Sequence, residues 1–96
     1  MINDYAFGLI QLAYELRNIC FRNNYLNLNI IKDIEKYFKE FIKQLNDFSL
    51  DMEAYLNISR SLKELIIYAD NGGDALDIFN YCNNVLLRKK VHPIKS

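Results

Sequence analysis

Asn71–Gly72–Gly73 is the sharpest break in this chain, and its flanks narrow the fold class. Before it, Leu62, Leu65, Ile66 and Ala69 recur at helical spacing; after it, Ala75, Leu76, Ile78, Phe79, Cys82, Val85 and Leu86 do the same. The glycines close one helix and admit another, since Gly72 suits the left-handed position that ends a helix. The stretch 62–82 therefore reads as a helical hairpin. A hairpin cannot bury its apolar faces alone, so the remaining residues must supply helices to cover it.

They do so with helical patterns throughout. A first helix is expected over 3–23, capped by Asn3 or Asp4. Its apolar residues cover more than half the circumference, which suits a central position in a bundle or a second face for a partner. A second helix over 29–48, capped by Asn27 or Asn29, has the cleanest period. Ile30, Ile31, Ile34, Phe38, Phe41, Ile42 and Leu45 form one face, and Lys32, Lys36, Lys39 and Lys43 line another. A third helix follows Ser49 or Asp51 and spans 51–70. Ser59–Arg60–Ser61 interrupts it, and Ser61 with Glu64 fits a capping box. Apolar spacing continues through the interruption, which favours one long helix. A fourth helix spans 74–90. Asp74 stands where the dipole welcomes negative charge, and Arg88–Lys89–Lys90 where it welcomes positive charge. Pro93 stops it, leaving a tail at 91–96 of which 94–96 are expected to fray. No strand alternation persists. Ninety-six residues suit one domain, and three short connections favour an all-α, antiparallel up-and-down bundle of four helices.

Composition excludes several classes. With 51% hydrophobic and 25% charged residues the chain resembles ordinary globular domains rather than disordered ones. Twelve basic and 12 acidic residues give a net charge of zero, which argues against a general nucleic-acid binder. The lysine stripe reads as the wet face of an amphipathic helix, diluted by Asp33, Glu35 and Glu40. No apolar run is long enough to cross a bilayer, and no basic leader follows Met1, so a cytoplasmic protein with no membrane contact is expected. Cys20 and Cys82 read as buried thiols in a reducing compartment; two cysteines permit one disulfide but make no framework.

Chemistry-bearing motifs are scarce. His92 is the only histidine and lies beside Pro93 in the tail, so neither a zinc site nor a nucleophile–histidine pair is expected. The HEPN ribonuclease pattern fails as well: only three residues separate Arg88 from His92, and Lys89 stands where a polar residue is usual. Asp70, Asp74 and Asp77 would repel phosphate at the Gly72–Gly73 corner. They also lack the ligand spacing of a calcium loop, so they read as caps and solvated charges, and no cofactor or metal is expected.

What stands out is the hairpin itself. From Asp51 to Tyr81 six acids face only Arg60 and Lys63, so the neutral chain contains an acidic hairpin of the third and fourth helices. Tyr68 and Tyr81 flank the corner, and tyrosine beside carboxylate is what an interface with a basic protein requires. The run 62–66 (LKELI) followed by 73–79 (GDALDIF) resembles small all-helical bacterial immunity proteins of contact-dependent or polymorphic toxin systems. Four-helix immunity proteins of pediocin-like bacteriocins are similar in architecture and length. The resemblance implies a non-enzymatic inhibitor that neutralises a basic toxin domain, in many systems a nuclease, through acidic side chains. The expected contacts are Glu64, Tyr68, Asp70, Asp74, Asp77 and Tyr81. A homodimeric structural or adaptor module, using the wide apolar face of the first helix, is the competing expectation.

Overall fold

The computed structural model describes residues 4–88 and 92–93, with side chains through Val85. It is a bundle of four helices: α1 (Asp4–Asn23), α2 (Leu28–Asp47), α3 (Met52–Asp70) and α4 (Ala75–Arg88). The expected cap at Asn3, the basic residues Lys89 and Lys90 and the end of the tail lie outside the described residues.

Local chemistry sets the helix ends. Asn27 caps α2, its side chain accepting the Ile30 N–H at 3.2 Å. Asp51 caps α3 in the same way, accepting from Ala54 at 2.8 Å. α3 runs unbroken through Ser59–Arg60–Ser61, so the alternative start at Ser61 is not used. The reason is packing: Ile58, Ser59 and Leu62 are all buried, and a kink there would pull them from the core.

α1 packs against both α2 and α3, and α4 completes the ring against α3 and α2. Tyr5 meets Tyr55 at 5.4 Å, while Arg22 meets Asp70 at the other end, so α1 and α3 lie side by side in the same direction. α4 returns along α3, bringing Tyr68 beside Asp77. The wide apolar surface of α1 is explained by its two neighbours: Leu9, Ala13, Leu16, Ile19 and Cys20 all join one core.

The centre of that core is aromatic. Phe38 and Phe41 are fully buried, and Tyr37 stacks on Phe79 of α4 with centroids 4.3 Å apart. The Tyr37 hydroxyl donates to the Phe79 carbonyl at 3.1 Å, with the Asn83 side-chain oxygen 2.9 Å away. These contacts fasten α2 to α4. Cys20 and Cys82 are buried and free.

Beyond α4, His92–Pro93 pairs with Phe48–Ser49 as a two-residue antiparallel ladder, β1 (Phe48–Ser49) and β2 (His92–Pro93). Two residues are too few to show alternation, so sequence periodicity carries no trace of it. No helix among the described residues is long and apolar enough to cross a membrane.

Candidate functional site: an acidic, tyrosine-walled cleft between α3 and α4

The site begins at the corner. The Gly73 N–H donates to the Tyr68 carbonyl and the Gly72 N–H to the Ala69 carbonyl, both at 2.9 Å. This double bond pattern is the Schellman closure of a helix, with Gly72 at φ 87° in the left-handed position. Gly73 serves a separate purpose. A Cβ there would stand 2.3 Å from Cε2 of Tyr68, so the bare glycine is what lets that ring lie against the corner.

Once seated, the Tyr68 hydroxyl donates to Oδ2 of Asp77 at 3.0 Å. The bond to that carboxylate raises the tyrosine's pKa above its ordinary value, and desolvation adds to it. Three elements thus fix one ring: the last turn of α3, the glycine corner and the first turn of α4. The ring remains solvent-facing and becomes part of a surface.

That surface is a cleft of about 500 Å³ between α3 and α4. Leu65 and Val85, both buried, form its floor, and Ser61 lies at one end. Glu64 and Asp77 supply two carboxylates, and Tyr68 and Tyr81 supply two rings, 40% and 52% exposed. Among the residues with described side chains, no lysine or arginine lines it. Its unbalanced negative charge favours a cation, and the ring faces add to that preference.

Four of the six expected contact residues are therefore together: Glu64, Tyr68, Asp77 and Tyr81. Asp70 and Asp74 are not among them. Asp70 turns toward α1 and accepts from Nη2 of Arg22 at 2.8 Å. Asp74 caps α4, its Oδ1 accepting the Leu76 N–H at 3.0 Å. The three aspartates of the corner are divided among three tasks. Among the described residues no three His, Cys, Asp or Glu side chains converge as a metal ion would need.

Sequence reasoning missed Ser61, Leu65 and Val85 as cleft residues. Helical spacing contains the signal: Ser61, Glu64, Leu65 and Tyr68 stand at i, i+3, i+4 and i+7, and Asp77, Tyr81 and Val85 at i, i+4 and i+8, each set on one helix face. The Arg22–Asp70 pair, 48 residues apart, leaves no such signal. No family model, curated protein or solved structure matches this chain.

Proposed function

We propose that this protein is a non-enzymatic inhibitor that binds a basic protein partner through the α3–α4 cleft. One observation carries the reading: Glu64, Asp77, Tyr68 and Tyr81 line a single open cleft, and among the residues with described side chains no lysine or arginine lines it. A lysine or arginine from a partner would meet two carboxylates over an apolar floor, flanked by tyrosine rings. Tyrosine and arginine are the residue types that most often anchor protein interfaces. The resemblance to toxin-immunity proteins supplies the partner class, a basic toxin domain of bacterial origin.

The arrangement also changes which residues matter. Glu64 and Asp77 are the two carboxylates that face the partner. Asp70 is already matched by Arg22, and Asp74 holds the start of α4. The test is capture of a basic protein by the tagged chain from cells that make it, with elution by salt. Glu64→Gln with Asp77→Asn removes the charges while keeping size, and should abolish capture with helicity unchanged. Retention of the same protein by that variant would refute the site.

The homodimer reading loses its original support. The apolar surface of α1 on which it relied is largely taken up by α2 and α3.

A further inference from the structure

The ring order of the helices puts a second groove on the far side of the bundle. α1 touches α2 and α3, and α4 touches the same two, so the α1–α2 edge lies opposite the α3–α4 edge. Along it runs a groove of about 590 Å³. Ile10 and Ile42 are half-buried in it, beside the exposed ring of Tyr14. Arg17, Lys39 and Lys43 edge it, against Glu35 as its one acid. Arg17 is held in place, its guanidinium 4.5 Å from the Phe21 ring centre and 5.7 Å from that of Tyr14. Lys43 reaches Asp47 only at 3.7 Å, across an exposed surface, which leaves its charge largely available.

The two edges are electrostatic complements. Among the described residues the α1–α2 groove carries three cations and one acid, and the α3–α4 cleft carries two acids and no cation. Both combine apolar ground with tyrosine. With a formal net charge of zero, copies of the chain experience no overall repulsion as they approach. We propose that the α1–α2 groove receives the α3–α4 face of a second copy of this chain. Arg17, Lys39 and Lys43 of one copy then face Glu64 and Asp77 of the next. Because the two surfaces differ and lie on opposite sides, the contact is head-to-tail and leaves a free face at each end. It also occupies the acidic cleft, so a basic partner must displace the second copy to bind. The inference rests on the cleft being a binding face, and adds what covers that face when the partner is absent.

Sedimentation velocity on the full chain tests it. Association should grow with concentration at about 0.01 M salt, where charges are felt over about 30 Å, and vanish near 1 M, where the range is about 3 Å. Lys39→Glu with Lys43→Glu should yield a monomer, as should Glu64→Lys with Asp77→Lys. Mixed in equal amounts, these two variants retain one intact, mutually complementary face each and should associate with one another although neither associates alone. Lys32→Glu with Lys36→Glu makes the same change in net charge on the same lysine stripe but at residues that do not line the groove, and should leave self-association intact. A wild-type chain that stays monomeric at low salt, or a mixture that does not associate, overturns the proposal. So does equal loss in the Lys32/Lys36 variant. The Lys39/Lys43 variant keeps its acidic cleft and should still capture the basic partner. Loss of self-association with capture intact therefore separates this inference from the proposed inhibitor function.

Discussion

Gly72 and Gly73 are adjacent, and each tolerates a different loss. Gly72 sits at φ 87° with nothing within 4 Å of where a Cβ would be. Gly72→Ala therefore brings strain without a clash, and should cost about 1 kcal/mol in urea denaturation. Gly73 has no such backbone demand, but a Cβ there meets the Tyr68 ring. That ring is partly exposed and free to swing outward, so Gly73→Ala should cost less stability than Gly72→Ala. It should nevertheless break the Tyr68–Asp77 bond and weaken partner capture more. The opposite ranking in either measurement would contradict this division. Two consecutive glycines announce a corner in any sequence. That the second one seats a tyrosine is not legible, because a close approach leaves no mark on local composition.

At the scale of elements, the caps outweigh the visible ion pair. Asp51 fixes the start of α3 through the Ala54 N–H, and Asp51→Ala should lower stability by about 1 kcal/mol. The Arg22–Asp70 pair is close at 2.8 Å, yet both side chains are 64% exposed. Asp70→Asn should change stability by no more than about 0.5 kcal/mol. Chemical denaturation of the two variants side by side checks the ranking. Helices were the most legible part of this chain. The regular spacing of Ile34, Phe38, Phe41 and Leu45 marks α2 because all four meet one core. The double neighbourhood of α1 was legible only as an unusually wide apolar face. Tyr37 passed unnoticed among seven scattered tyrosines. Its role depends on Phe79 and Asn83, more than 40 positions away, and spacing along α2 cannot report a partner on α4.

For the whole molecule, the buried core predicts a pH response. Burial pushes the Cys20 thiol from 9.0 up to about 11 and the Cys82 thiol up to about 12. Burial also pushes the Tyr37 hydroxyl well above its ordinary range, with further contributions from Cys82. These groups keep their protons in the folded chain at pH values where the unfolded chain has lost them. Stability is thus complete below the ordinary thiol value of 9.0 and falls as pH rises toward 11 and then 12. Urea denaturation between these limits should show the decline, and Cys20→Ala with Cys82→Ala should lessen it, leaving the part due to Tyr37. A wild-type curve that is flat across that range would contradict the burial account.

The candidate site was legible in part, for a reason that also belongs to this scale. Sequence showed that acid and tyrosine gather near the corner, since local clustering survives in one dimension. It placed Asp74 at the start of the fourth helix, where the structure has it as a cap, but it did not show that Asp70 is taken by Arg22, since that depends on how the corner is folded. The most direct measurement follows from that division. With the captured basic protein purified, its affinity would be titrated against the wild-type chain, against Glu64→Gln/Asp77→Asn and against Asp70→Asn. The cleft predicts a loss of at least about tenfold, or about 1.4 kcal/mol, for the first variant and almost none for the second. Equal affinity for all three chains would show that the partner binds elsewhere.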